Sequence, residues 1–468
     1  MRHGLLRHRL APATDDLPAG ELAERVLLAL AAAHPTADLV WLDSGLGARD
    51  GRSFLSVDGE RVRLAPGEPV LPQLRAALAA LPRLAPAEGA APPLGLIGWF
   101  GYELRAETMG MPAPAVPAAH AASWLALDRG LALDHATGAV ELVALDPHGT
   151  GAWVGELADW RARMVEVVDG ARRASAAPIV DPAPRTAHWR DDDARYAELV
   201  RRCQAAIRDG EAYQLCLTSQ ARVDDPGDAL ELYRRVRRSS TAHHGALLRI
   251  GEATLVSASP ETFLRVEPTA DGLLARTRPI KGTRPRGADA TADAALAAEL
   301  AANDKERAEN LMIVDLMRND LQRVCAVGSV VVTGLLEVET YPQVHQLVST
   351  VEGRLREGLD ALDAIAACFP AGSMTGAPKR RAIELLERWE GGARGVYSGA
   401  FGYLGADGSA DLAMVIRSIL VEGSGRASVA TIGAGGGVTA LSDPQAEVAE
   451  MRLKARALLR ALGAADSL

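Results

Sequence analysis

Apolar residues recur at three- and four-residue steps in several stretches of the chain, and each such stretch predicts a helix with one buried face. Tyr196, Leu199, Cys203 and Ile207 form one stripe, and Asp191 to Asp193 can cap the helix that carries it. Further helices are predicted over residues 300–320, 361–368, 378–389 and 444–462, the last with Asp443 as its cap and Pro444 in its first turn. Near the N-terminus the apolar residues 26–33, flanked by Glu24 and His34, are too few to span a membrane and read as part of an amphipathic helix rather than a signal segment.

Shorter apolar runs bounded by turn residues predict strands at 39–42, 94–102, 246–250, 253–257, 396–404, 412–421 and 427–432. Strands in groups, interrupted by helices, predict an α+β fold with antiparallel sheets rather than a βαβ series. Pro178, Pro182 and Pro184 cannot sit inside regular elements, so residues 176–188 read as a linker. The expected division is an N-terminal subdomain over 1–175, a C-terminal subdomain over 189–463 and a tail over 464–468.

Composition narrows the classes. With 60 acids against 51 bases and a net charge of −9, the chain lacks the basic surface that nucleic acid requires. No segment suggests a membrane partner. The four cysteines, Cys203, Cys216, Cys325 and Cys368, are widely spaced, which suits reduced thiols in a cytoplasmic protein better than a zinc site or disulfides.

Candidate chemistry lies in the acidic helices. Glu306, Glu309, Ile313, Leu316 and Asp320 share one stripe, and the final helix places Glu447 and Glu450 three apart before Lys454. Each pair alone suits a solvated helix edge. Four carboxylates on two helices that met would suit a hard cation such as Mg²⁺. Residues 431–438, with Gly433, Gly435, Gly436 and Gly437, read as a strand followed by a glycine-rich turn whose bare N–H groups could hold a carboxylate. Lys281, between Pro279 and Gly282 at a strand end and near Arg276 and Arg278, is either a surface charge or a nucleophile with a lowered pKa. Glu261, after Ser259-Pro260, is a lone acid that desolvation could make a general acid. Arg417 lies within an apolar run, 414–420, where a charge needs a ligand or an acid partner.

Taken in order, residues 257–263, 277–283, 308–323, 344–353, 369–381, 395–402, 415–420 and 434–454 resemble the chorismate-utilising enzymes, specifically component I of the aminodeoxychorismate synthases. The N-terminal part resembles them more weakly, through residues 41–44 and 98–103. The resemblance implies two intertwined subdomains with antiparallel sheets sandwiched between helices. It implies amination of chorismate at C4, giving 4-amino-4-deoxychorismate for p-aminobenzoate. Lys281 carries that subfamily assignment, because anthranilate synthases typically have alanine there. Gln214 stands where isochorismate and salicylate synthases have a lysine base.

The resemblance assigns roles residue by residue. Lys281 would attack C2, Glu261 would protonate the leaving C4 hydroxyl, and His345 would assist nearby. Glu309 and Glu450 would bind Mg²⁺ directly, with Glu306 and Glu447 behind them. Gly282, Thr283, Tyr397, Arg417, Gly435, Gly436, Gly437 and Lys454 would position chorismate. No cysteine has the Gly-x-Cys-x-Gly setting of a class I amidotransferase, so ammonia is expected from a separate class I glutaminase subunit, component II. Many relatives also hold tryptophan in the N-terminal part. Ser44 with residues 51–54 resembles one wall of that pocket, but His243-His244 replaces the usual Pro-aromatic pair, so tryptophan binding stays open. The rivals are an anthranilate synthase component I and a catalytically silent chorismate-binding subunit.

Overall fold

The structure is a computed structural model that describes residues 4–57, 59–84, 92–240, 242–341 and 344–465. The predicted periodicities produce the expected amphipathic elements. Helix Ala19–Ala33 buries Leu22, Ala23, Val26, Leu27 and Leu30. Helix Asp193–Arg208 is capped by Asp192, whose carboxylate accepts from Arg195 N at 2.7 Å. Helix Pro444–Ala461 is capped by Asp443, which accepts from Ala446 N at 2.8 Å. The single helix expected over 300–320 is two, Ala290–Ala302 and Asp304–Gln322. Asn303 divides them: its backbone is extended and its side chain accepts from Glu306 N at 3.1 Å, starting a second helix.

Among the described residues the strands form a thirteen-stranded and a ten-stranded sheet. Their pairings are antiparallel except for Ala464–Ala465, which runs parallel to Arg185–Trp189. That pair corrects two expectations, because the end of the proline-rich linker and the start of the tail are both strand. Residues 466–468 of the tail lie outside the described residues.

Both sheets draw strands from either side of the linker. Leu39–Asp43 pairs with His244–Ile250, placing Trp41 opposite Leu247, and Gly95–Phe100 pairs with Ala400–Gly405, placing Gly98 opposite Gly402. A Cβ on either of these glycines would stand 2.0 Å from a backbone oxygen, so the join tolerates no side chain there. The two parts are intertwined through shared sheets.

Among the described residues, three large apolar clusters fill the layers, with a small fourth at Leu6, Ala144 and Leu157. Val40, Phe54, Ile97, Trp99, Leu248, Phe401 and Leu420 pack between the sheets. Helices Ala19–Ala33, Asp193–Arg208 and Pro444–Ala461 contribute to the cluster on the outer face of the larger sheet. Helices Asp304–Gln322 and Ala361–Cys368 contribute to the cluster on the smaller sheet. The α+β architecture is therefore a pair of antiparallel sheets between helical layers. Each fully buried leucine contributes roughly 1.5–3 kcal/mol to it.

Candidate active site

The site forms where one strand outruns its neighbour. Val429–Val438 pairs with Gln214–Asp224 along its whole length, but with Ser418–Glu422 only as far as Ile432 opposite Ile419. Residues 433–438 therefore keep an edge without a ladder partner among the described residues, and alternate backbone groups on that edge can meet a ligand. The glycine-rich segment is thus strand, not turn. Its glycines are required by crowding: a Cβ would lie 2.0 Å from the Tyr397 ring at Gly433, 2.2 Å from Leu217 O at Gly435 and 2.0 Å from Gln214 Nε2 at Gly437. At Gly436 it would lie 2.9 Å from Glu447 Oε2.

Arg417 marks the point where the neighbouring strand stops. The apolar run predicted as one strand is two, Ala410–Met414 and Ser418–Glu422, and Arg417 sits between them with φ of 51°. This corrects the expectation of an arginine inside a strand. Its side chain is exposed, and Nη1 donates to Lys454 O at 3.2 Å. Tyr397, packed over Gly433, is buried, and that burial pushes its phenol far above the ordinary value.

Two acidic helices converge beside this edge. Burial raises the Glu309 carboxyl against the pull of Lys281 and Lys305, with repulsion from Glu306 and Glu450 adding to the rise. Burial also raises Glu447, although Ser442 donates to it at 2.7 Å. Burial acts on Glu450 in the same direction, but Lys454, Lys305 and Lys281 outweigh it and hold that carboxyl below its usual range. The Lys454 ammonium sits 2.7 Å from Glu450 and donates to Gly435 O at 2.8 Å. Glu306 is turned partly aside, toward Arg284 at 3.4 Å.

This donor set is all oxygen and comes from facing helices, and a divalent cation would relieve the repulsion that burial intensifies. Among the described residues no three His, Cys, Asp or Glu side chains form a ready metal cage. A cation here would take part of its shell from water or substrate, as Mg²⁺ commonly does.

Glu261 sits where the chain crosses from one sheet to the other, between Ala253–Ser259 and Thr262–Thr269. It is 8% exposed, and its burial raises the carboxyl despite Lys281, a hydrogen bond with Ser373 and Lys454. Lys281 is half-buried on Ile280–Pro285 and exerts its charge on Glu261, Glu309 and Glu450 together. Gly282, with φ of 88°, lets this strand press against the acidic helix, since a Cβ there would lie 2.8 Å from Leu300 and 3.1 Å from Glu306. Thr283 follows as an exposed residue.

His345 is engaged elsewhere. It is buried, with Nδ1 2.9 Å from Thr340 Oγ1 and Nε2 2.9 Å from Asp293 Oδ1. Both ring nitrogens are occupied by these partners, so in this conformation it ties the helix Ala290–Ala302 to its sheet. Gln214, an amide rather than a basic side chain, is buried beneath Gly437.

Three further residues belong to the site's framework and escaped sequence reasoning. Ser373 holds Glu261. Lys305 lies 3.9 Å from Glu309 and also acts on Glu447 and Glu450. Buried Arg394 donates to Met374 O at 2.7 Å and Cys216 O at 2.9 Å, and pairs with Glu390 at 2.7 Å. Ser373 falls within the matched run 369–381, which offered a signal; nothing in the pattern around Arg394 distinguished it from a surface charge.

A larger cavity of about 810 Å³ is lined by Ser44, Gly51 and Phe54 together with His243 and His244. His244 Nε2 lies 3.0 Å from Thr262 Oγ1, and His243 packs on Tyr341 with ring centroids 4.4 Å apart.

A family model described as chorismate binding enzyme matches residues 45–460. The chain belongs to this family. It is 48% identical over 374 residues to the aminodeoxychorismate synthase of Streptomyces pristinaespiralis, covering 79% of this chain and 51% of that protein. It is 38% identical over 408 residues to anthranilate synthase component 1 of Streptomyces coelicolor, covering 84% of this chain and 76% of that one. The chain spans about half the length of the aminodeoxychorismate synthases from Streptomyces that it matches. Among solved structures, anthranilate synthase component I from Streptococcus pneumoniae superposes with a TM-score of 0.71 at 26% identity, covering 90% of this chain and 92% of that one. The menaquinone-specific isochorismate synthase of Escherichia coli shares the fold, with a TM-score of 0.70 at 19% identity over 98% of this chain and 94% of that one. Among the described residues no helix is long and apolar enough to cross a membrane.

Proposed function

We propose that this chain aminates chorismate at C4, giving 4-amino-4-deoxychorismate, the precursor of p-aminobenzoate. The observation that carries the reading is Lys281, whose charge reaches the buried acid Glu261 and the carboxylates of both acidic helices. The Lys281 amine attacks C2, the ring double bonds shift, and the C4 oxygen departs as water with a proton from Glu261. Ammonia then adds at C4, the double bonds shift back, the C2–N bond breaks to release the Lys281 amine, and the extra proton on the new C4 nitrogen returns to Glu261. The raised Glu261 carboxyl suits a residue that must hold a proton before giving it up.

Arg417, Lys454 and the open edge at Gly435, Gly436 and Gly437 receive the substrate carboxylates, with Tyr397 beneath the ring and Gly282 and Thr283 beside Lys281. Glu309 and Glu450 would hold Mg²⁺, with Glu306 and Glu447 behind them; when bound, the ion neutralises a substrate carboxylate. Ammonia comes from a class I glutaminase subunit, a reading supported by the burial of all four cysteines. The 48% and 45% identities to the two Streptomyces aminodeoxychorismate synthases, against 38% and 40% to anthranilate synthases, support C4 over C2 amination.

Incubation with chorismate, Mg²⁺ and an ammonium salt, followed by product separation, tests the reaction and its regiochemistry together. Wild type is expected to give 4-amino-4-deoxychorismate, and Lys281→Ala to lose or redirect it. Formation of fluorescent anthranilate by the wild type would replace this reading with the anthranilate synthase one. Unchanged product from Lys281→Ala would remove the covalent route.

A further inference from the structure

Three of the four carboxylates on the acidic helices face a cation supplied by the chain itself. Arg284 lies 3.4 Å from Glu306, Lys305 lies 3.9 Å from Glu309, and Lys454 lies 2.7 Å from Glu450. Two of these cations are also held elsewhere, Arg284 by Glu299 at 3.0 Å and Lys454 by Gly435 O at 2.8 Å. Lys305 is not. Among the described residues its ammonium has no ionic or hydrogen-bonding partner besides Glu309, yet its charge also acts on Glu447 and Glu450 of the facing helix. It stands over the gap between the two helices.

The local fold gives no reason for a cation at this position. Lys305 falls in the first turn of helix Asp304–Gln322, directly after the cap Asn303, where the helix dipole opposes positive charge. A lysine four residues before a glutamate is also the weaker order for a helical ion pair. The Lys305 side chain is 55% exposed, so the pair is largely solvated and adds little to stability. What the charge does offset is the repulsion among the carboxylates beside it, which burial intensifies at Glu309.

We propose that the Lys305 ammonium is an internal competitor of Mg²⁺, neutralising the carboxylates of both helices until a divalent ion binds and then swinging out to solvent. The proposal rests on the Mg²⁺ reading of these glutamates and adds to it the residue that sets the ion's affinity. A single charge on a flexible, half-exposed stem relieves the repulsion but yields to a dication, which brings twice the charge and direct oxygen ligation. Because nothing else anchors Lys305, its departure breaks only the one solvated pair.

The test is an Mg²⁺ titration of the melting temperature at constant ionic strength, with and without chorismate in ammonium-free buffer, so that affinity is read without turnover. Lys305→Met, which keeps the length of the stem and removes the charge, is expected to bind Mg²⁺ about tenfold more tightly than wild type. Lys305→Arg keeps the charge and should stay within about threefold of wild type. A change of less than about threefold in Lys305→Met, or weaker binding, overturns the competitor role, as does equal tightening in both variants. A raised KM for chorismate with unchanged Mg²⁺ affinity in Lys305→Met would make Lys305 a substrate contact instead. A wild-type chain whose melting temperature ignores Mg²⁺ in both conditions would overturn the metal reading itself, and this inference with it.

Discussion

Lys454 reaches Glu450 at 2.7 Å and the carbonyl of Gly435 at 2.8 Å with the same ammonium, so one side chain joins the acidic helix to the open strand edge. With Lys305 and Lys281, its charge outweighs the burial that would otherwise raise Glu450. Lys454→Met removes this compensation and a cation proposed to face the substrate. The KM for chorismate is expected to rise about tenfold or more, while the melting temperature changes little because Lys454 is 34% exposed and its ion pair is partly solvated. A KM within twofold of wild type would remove Lys454 from substrate binding.

The metal proposal separates affinity from stability. Glu309→Gln and Glu450→Gln each remove a charge while nearly keeping shape, and in Glu309 they remove one that burial and repulsion already penalise. Mg²⁺ titration of activity is expected to shift by about tenfold or more in each variant, with the Mg²⁺-free melting temperature of Glu309→Gln at or above wild type. Wild-type Mg²⁺ dependence in both variants would refute the assignment.

Glu261 yields a prediction with opposite signs for activity and stability. Burial raises its folded-state carboxyl above the unfolded value. The native state therefore binds the proton more tightly, and stability falls as pH rises from the ordinary carboxylate range through the raised value. Glu261→Gln avoids that cost and keeps an acceptor for Ser373. It is expected to lose activity by about a hundredfold or more. At neutral pH it should melt no lower than wild type, and its relative gain should vanish below the ordinary carboxylate range. Melting curves across pH check the second outcome independently of the first.

What the sequence disclosed follows the range of the forces involved. Asp192 and Asp443 announce helix starts because capping is local, and the carboxylate stripes follow from the helical repeat. That the two acidic helices meet is a long-range fact of sheet packing, which spacing could not supply. Residues 433–437 hid a strand because glycine is a weak strand former, and here the pairing with Gln214–Asp224 decides. Arg417 looked like strand because apolar residues flank it on both sides, whereas its left-handed backbone breaks the run. His345 was assigned by resemblance alone, and its hydrogen bond to Asp293 depends on a helix distant in sequence.

Nitrogen supply gives the last prediction. A glutaminase needs an activated thiolate, but Cys203, Cys216, Cys325 and Cys368 are all buried. Burial pushes each of these thiols up, Cys325 to about 11. A raised thiol is protonated and unreactive near neutrality, the reverse of what a nucleophilic cysteine requires. The isolated chain is therefore expected to aminate chorismate from ammonium and not from glutamine, and thiol-blocking reagents should leave the native rate unchanged. Because NH₃ is the nucleophile, the ammonium-supported rate should climb about tenfold per pH unit below the ammonium pKa while the site stays intact. Adding a class I glutaminase subunit should make glutamine the better donor near neutral pH, where little NH₃ is free. Product formed from glutamine by the purified chain alone would overturn both the external source and the partner.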